Sequence, residues 1–273
     1  MPLDCLAPVI ENTHLSDHYN VVTFHAPAIA SAVRPGQFVM IKTSAGYDPL
    51  LRRPFSIFQV KRGPDGVADR FTILNKRIGP GTRRLFDCAP GAAVPCLGPL
   101  GVPFAATPGR EAWMVAGGVG LAPFALLAER LRERGVTRRL YYGGRSAADL
   151  FFLEDFERQG ATLVLTTEDG TRGERGRVTE PLARDLDARG ERAGSIEIFA
   201  CGPEPMLRAV ARIARERAVR CQVSVERVMG CGLGGCYSCV IAVQRGASGR
   251  PHYVRSCIEG PVFDAAEIAW ECP

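Results

Sequence analysis

Lysine is almost missing from this sequence. Of 34 basic residues only Lys42, Lys61 and Lys76 are lysines, and the arginines are interspersed with 29 acidic residues instead of gathered in a patch. A net charge of +5 spread in this way offers no stripe for a phosphate backbone, which excludes a nucleic-acid surface. The succession of basic, apolar and small residues that marks a secretory signal is also missing, so the expected location is the cytoplasm. No membrane span is expected either. The apolar uncharged run Ala112 to Ala128 is too short and carries Gly117, Gly118, Gly120 and Pro123 in its middle. Repeats and low-complexity tracts are lacking. What remains, 273 residues with 46% hydrophobic and 23% charged side chains, is globular, and its length points to about two domains with a small appendage.

Two textures divide the chain. Up to about residue 106 it offers short β-type runs (Phe38 to Ile41, Pro54 to Phe58, Phe71 to Leu74) broken at Pro35-Gly36, Gly63-Pro64 and Pro90-Gly91, with no long helical period. That spacing predicts an antiparallel barrel or sandwich. Beyond Pro108-Gly109, apolar strands (Trp113 to Ala116, Leu140 to Tyr142, Thr162 to Leu165, Ile196 to Phe199) alternate with helical stretches such as Phe124 to Arg134 and Pro205 to Val219. Such alternation predicts a parallel α/β sheet. From about Glu226 a third, Gly- and Cys-rich module begins, with a hairpin expected from Cys239 to Val243 and Pro251 to Arg255. The expected fold class is therefore multi-domain β plus α/β, divided at 1–106, 107–224 and 225–273.

Ten cysteines in a cytosolic chain are not expected to pair as disulfides. Cys5, Cys88, Cys96, Cys201, Cys221 and Cys272 are isolated, whereas Cys231, Cys236 and Cys239 crowd together with Cys257 downstream. The spacing C-x4-C-x2-C and a distant C is that of plant-type 2Fe-2S binding. Gly230, Gly232, Gly234 and Gly235 clear the side chains that would block a loop wrapped around a cluster and let N–H groups aim at sulfur. A structural zinc site with four thiolates is the competing reading, although the second close cysteine pair it calls for is missing.

A glycine loop, Gly117-Gly118-Val119-Gly120, follows one apolar strand and precedes a helix whose first turn holds Pro123, the context a phosphate-binding loop requires. Plain turn chemistry would give the same glycines. A second loop, Cys201-Gly202-Pro203, again follows a strand and opens a helix, and two loops at the carboxyl ends of one sheet can grip one dinucleotide. Thr167-Glu168-Asp169-Gly170 could receive ribose hydroxyls, although acidic loop residues are more often merely solvated. If it lies at the ribose, the acidic pair disfavours a 2′-phosphate, so NADH is expected over NADPH, with Arg145 as the nearby charge that could reverse the balance. In the barrel half, Arg52-Arg53-Pro54-Phe55-Ser56-Ile57 gathers a cation, an aromatic and a hydroxyl at a strand entry, suited to a pyrophosphate and a flavin edge but compatible with an ordinary strand.

Taken in order, Pro35-Gly-Gln-Phe38, Arg53-Pro-Phe-Ser56, Gly79-Pro-Gly-Thr82, Gly98-Pro-Leu-Gly101, Gly117-Gly-Val-Gly120 and Cys201-Gly-Pro203 resemble the ferredoxin-reductase superfamily over nearly the whole chain. With the run from Glu226 to Cys239, the sequence is most similar to electron-transfer subunits of class 1B dihydroorotate dehydrogenase. The resemblance implies that Arg53, Pro54, Phe55, Ser56, Leu74, Asn75, Lys76, Gly81 and Thr82 hold FAD. It further implies that Gly117, Gly118, Gly120, Cys201, Gly202 and Pro203 hold NAD(H), and that Cys231, Cys236, Cys239 and Cys257 ligate the cluster. Pro80 and Asn75-Lys76 depart from the family, which has a lysine-like residue and a Tyr-Arg pair there.

The implied partner is an FMN-containing dihydroorotate dehydrogenase catalytic subunit of pyrimidine biosynthesis, in a heterotetramer of two plus two. No histidine, cysteine or carboxylate constellation for organic-substrate chemistry is visible, so no catalytic residue is assigned. Leu233, Tyr237 and Phe263 would contribute to a docking face, with core packing the more usual role for any one of them. The alternatives are the small subunit of an NADH-dependent ferredoxin:NADP+ oxidoreductase or sulfide dehydrogenase-like complex and, in a different class, a zinc-binding interaction module on a nucleotide-sensing domain.

Overall fold

The computed structural model describes residues 1–44, 46–245 and 250–272. Its first part is built from β1 (Leu3–His14), β2 (Tyr19–His25), α1 (Pro27–Ala32), β3 (Phe38–Ile41), β4 (Arg53–Arg62), β5 (Ala68–Lys76), α2 (Pro80–Phe86) and β6 (Ala93–Leu100). The strands close an antiparallel barrel in the order β1-β2-β5-β4-β3-β6, with β6 returning to pair with β1. Closure leaves no free edge. The two-residue period of a strand then decides what each side chain meets. In β2, Val22 and Phe24 enter the barrel core with Ile41, Ile57, Phe71 and Ile73, while Val21 faces out and packs in the layer shared with the neighbouring sheet.

That sheet is formed by β7 (Glu111–Gly117), α3 (Ala122–Glu133), β8 (Arg138–Gly144), α4 (Leu153–Arg158), β9 (Ala161–Thr167), β10 (Glu174–Arg175), α5 (Thr179–Arg189), β11 (Ile196–Cys201), α6 (Glu204–Glu216) and β12 (Arg220–Ser224). Its order, β10-β9-β8-β7-β11-β12, reverses direction between β7 and β11. In an open parallel sheet the crevice outside such a switch point is where ligands bind. α3 buries Phe124 and Leu127 on one face, α5 and α6 bury Leu182, Leu207 and Val210 on the other, and both faces need cover because parallel strands are apolar throughout.

The remaining elements are β13 (Val240–Val243), β14 (His252–Arg255), α7 (Ser256–Glu259) and β15 (Val262–Asp264). β13 and β14 form the expected hairpin, whereas β15 joins the large sheet antiparallel to β12, with Val223 opposite Phe263. Phe263 is accordingly 3% exposed, which removes it from the expected docking face, while Leu233 and Tyr237 remain 55% and 62% exposed. Among the described residues no helix is long and apolar enough to cross a membrane.

Candidate functional site

β4 and β5 pair from Ile57 opposite Ile73 onward, but Arg53 to Ser56 pair with β3 and Leu74 to Lys76 with β2. The strands therefore part at this end, leaving a cleft between the two segments expected to hold FAD. The first turn of α2 stands against it: a side chain at Gly81 would come 3.2 Å from Thr43 Oγ1 and 3.3 Å from Arg53 Cγ. Thr43 Oγ1 is buried with no hydrogen-bond partner, an orphan that a ligand oxygen in the cleft would satisfy. Sequence patterns gave no signal for Thr43, because only strand pairing brings it there.

The two arginines divide. Arg52 donates to both carboxylate oxygens of Asp4 at 2.9 Å, while Arg53 donates to the carbonyls of Leu51 and Arg52 and lies beside α2. Thr82 Oγ1 accepts the N–H groups of Ile78 and Gly79, each at 2.9 Å, and so fixes the start of α2. Asn75, fully buried, donates to Asn20 Oδ1 at 2.7 Å and to the Thr82 carbonyl at 3.0 Å. Its side-chain amide thus holds α2 in place. Leu74 is packed in the layer between barrel and sheet, and Lys76 reaches Asp149 at 3.6 Å. The orphaned hydroxyl, the side-chain-free cradle at Gly81 and the cation at Arg53 fit a pyrophosphate-bearing group such as FAD.

At the switch point the two glycine loops touch. Ala116 and Cys201 are register partners of β7 and β11. A side chain at Gly120 would collide with the Cys201 carbonyl and come 2.8 Å from the Gly202 nitrogen, and one at Gly117 would meet Pro203 and Met206 at 2.9 Å. Gly118 has φ +54°, a conformation that suits glycine. The structure therefore joins Gly117, Gly118, Gly120, Cys201, Gly202 and Pro203 into one surface outside the carboxyl ends of the strands, which fits a dinucleotide. Burial pushes the Cys201 thiol up to about 12 despite the hydroxyl of Ser224, so it is protonated at neutral pH. In the third loop Asp169 is engaged locally: Thr171 donates to it from its backbone at 3.0 Å and its hydroxyl at 2.7 Å. Asp169 N donates to the Arg145 carbonyl at 3.1 Å, which confirms that Arg145 adjoins the acidic pair.

The cysteine loop lies against the barrel. Gly232 (φ +74°) has no room for a side chain, since Cβ would stand 2.6 Å from Met40 Cγ; Met229, Cys239 and Cys257 share an apolar cluster with Phe38, Met40 and Leu100. Leu233 N donates to Cys231 Sγ at 3.4 Å, Arg255 donates to the Gly234 carbonyl at 2.9 Å, and Gly230 N donates to Ser238 Oγ at 3.0 Å. The thiols differ in their surroundings. Cys236, exposed, is drawn down to about 6 by hydrogen bonds from Ser238 and from Cys231. Cys257 is pushed up to about 12 by burial and by its contact with Cys239, whose carbonyl accepts the Ser256 N–H at 3.0 Å. Among the described residues no three His, Cys, Asp or Glu converge on one point as a single metal ion would require. The spacing of the four cysteines along a glycine-rich loop fits two irons better than one tetrahedral zinc.

A flavin cleft, a dinucleotide crevice and a two-iron thiol loop in one chain define an NAD(H)-dependent oxidoreductase of ferredoxin-reductase type. Residues 226–269 match the iron-sulfur cluster binding domain of dihydroorotate dehydrogenase B, and residues 114–212 match the oxidoreductase NAD-binding domain. The dihydroorotate dehydrogenase B (NAD(+)) electron transfer subunit of Desulforamulus reducens is 36% identical over 91% of both chains. The protein of that name from Bacillus caldolyticus is 40% identical over 86% of both. A solved NADH-dependent reduced ferredoxin-NADP oxidoreductase superposes with a TM-score of 0.82 at 26% identity, covering 97% of this chain and 90% of that one. The chain belongs to the family of dihydroorotate dehydrogenase B electron transfer subunits.

Proposed function

We propose that this chain transfers electrons between NAD(H) and an FMN-containing dihydroorotate dehydrogenase catalytic subunit, by way of FAD and a 2Fe-2S cluster. Flavin, when bound, supplies the exchange between hydride, which carries two electrons, and the single electrons a cluster takes. The chain's own residues hold and orient. Arg53, Gly81 and Thr82 form the pyrophosphate end of the cleft, Pro54, Phe55 and Ser56 its strand wall, and Leu74, Asn75 and Lys76 the opposite wall. Gly117, Gly118, Gly120 and Cys201 to Pro203 receive the dinucleotide, and Cys231, Cys236, Cys239 and Cys257 ligate iron.

The observation that carries this reading is the junction at β3. Met40 lies opposite Pro54 of the flavin strand and packs against Gly232 of the cysteine loop, so a single strand separates the two redox sites. In this reading residues 1–106, 107–224 and 225–273 serve FAD, NAD(H) and the cluster, the assembly contains two copies of each subunit as symmetric pairing favours, and it works in the cytoplasm of the cell, in keeping with ten free cysteines. A small subunit of an NADH-dependent ferredoxin:NADP+ oxidoreductase would use the same cofactors, but identities of 36% and 40% against 26% favour the dihydroorotate partner.

The test is a visible spectrum of the purified chain with counts of acid-released flavin and iron, followed by NADH oxidation with a dye acceptor. Flavin and iron–sulfur bands and dye reduction are expected, with no turnover of dihydroorotate by the single chain. Interconversion of dihydroorotate and orotate by the chain alone would overturn the two-subunit reading.

A further inference from the structure

Asp149 lies between β8 and α4, outside every segment assigned above to FAD, nucleotide or iron, yet its carboxylate reaches the barrel. Tyr19 donates to Asp149 Oδ1 at 2.5 Å, and Lys76 Nζ stands 3.6 Å from the same oxygen. Tyr19 and Lys76 face each other across β2 and β5, with the ammonium 4.8 Å from the centre of the Tyr19 ring. Rings close the joint: Tyr19 meets Phe151 at 4.8 Å and Phe58 meets Phe152 at 4.7 Å. Phe152 adopts φ +59°, a conformation that costs a bulky residue steric energy and so is imposed by its surroundings.

The sheet side of the joint is equally fixed. Tyr142 donates to the Asp149 carbonyl at 2.9 Å, and Gly144 leaves open the space where a Cβ would come 2.9 Å from Asp149 Cβ. The Asp149 side chain is 16% exposed. β8, which leads into this segment, is the direct neighbour of β7 with its nucleotide loop, and Lys76 ends the strand that lines the flavin cleft. One carboxylate therefore ties the strand end of one site to the strand end of the other.

We propose that Asp149 is a positioning residue: through Tyr19 and Lys76 it sets the placement of the nucleotide-binding sheet against the barrel, and with it the approach of nicotinamide to flavin. This rests on the assignment of NAD(H) and FAD above. Hydride transfer needs its reacting atoms in near-contact, and a shift of about 1 Å from a distant substitution can cost about a hundredfold in rate.

The test uses the full chain and three variants. Asp149→Ala removes hydrogen bond and charge, Asp149→Asn removes the charge, and Tyr19→Phe deletes one hydroxyl while keeping the ring against Phe151. Flavin reduction by NADH and by its 4-deuterated form is followed by stopped flow, together with bound FAD and thermal melting. The expected result is full FAD content, with flavin reduction slowed about tenfold or more in Asp149→Ala and less in the other two, and a larger deuterium isotope effect. An unchanged rate and isotope effect in FAD-replete Asp149→Ala and Tyr19→Phe would leave only a structural contact and overturn the proposal. Loss of FAD from the variants would overturn it as well, since the contact would then serve retention of FAD. Should Asp149→Ala not fold, Tyr19→Phe decides by the same readouts. Failure of NADH to reduce the flavin of the unaltered protein would instead refute the underlying assignment.

Discussion

Single atoms decide the sites of this protein. At Gly120 the Cys201 carbonyl occupies the space of a side chain, so Gly120→Ala must push the two nucleotide loops apart. We expect the KM for NADH to rise about tenfold or more, the effect of losing about 1.4 kcal/mol of binding, with FAD and iron content unchanged; steady-state kinetics with a dye acceptor check it. Cys236→Ser should abolish stoichiometric iron while FAD stays bound, because the walls of the cleft come from β4, β5 and α2 of the barrel. Cys5→Ser and Cys272→Ser should leave both cofactors in place, and retained iron in Cys236→Ser would remove that residue from the ligand set. Both expectations rest on short-range patterns, glycines after a strand and cysteines at fixed spacing, which is why they were legible in the sequence. Thr43 was not. Its orphaned hydroxyl, like the choice of the core over a docking face for Phe263, follows from strand pairings between distant segments, β15 on β12 in the second case, and no local pattern encodes a partner so far away.

At the scale of elements, α2 depends on a row of asparagines from three strands. Asn12 donates to the carbonyls of Phe86 at 2.9 Å and Cys88 at 2.8 Å, Asn20 donates to Asn12 Oδ1 at 2.7 Å, and Asn75 donates to Asn20 and to Thr82. The last carbonyls of a helix have no partner within it, and this row supplies several. Asn20→Ala should cost about 1–3 kcal/mol by leaving buried groups unpaired, and should weaken FAD binding because α2 carries Gly81 and Thr82. Urea unfolding and flavin titration measure the two effects separately. β3, β4, β5 and β7 were foreseen from their apolar runs, whereas β1, β2 and β6 were not, since much of β1 lies exposed and β6 contains Pro95 and Pro99.

The joint at Asp149 adds a dependence on acidity. Burial alone would raise its carboxyl, but the Tyr19 hydroxyl, Lys76 and backbone hydrogen bonds outweigh that and hold it below the ordinary carboxylate range; Tyr142 and Arg145 complete the polar surroundings. A depressed value means that the charge stabilises the fold fully above the unfolded pKa and is lost as the pH falls through the folded one. The melting-temperature gap between the unaltered protein and Asp149→Asn should therefore hold from neutral pH down to about 5 and shrink as the pH falls below the ordinary aspartate value of about 4. A gap that persisted at low pH would show that ionisation of Asp149 does not contribute.

For the molecule as a whole, the three modules are less separable than their motifs imply. The cysteine loop rests on the barrel through Met40 and Leu100, and the hairpin residues Ile241, Val243 and Val254 enter the same core as α5 and α6. β15 adds a further consequence. By pairing with Gln222 to Ser224 it covers the outer side of β12, which otherwise would present a row of unpaired N–H and C=O groups, the kind of open border along which chains stack into aggregates. A chain cut after Val225 should thus clump through its bared strand, as light scattering would reveal, and during synthesis the border of the sheet stays unsealed until Val262 to Asp264 have left the ribosome.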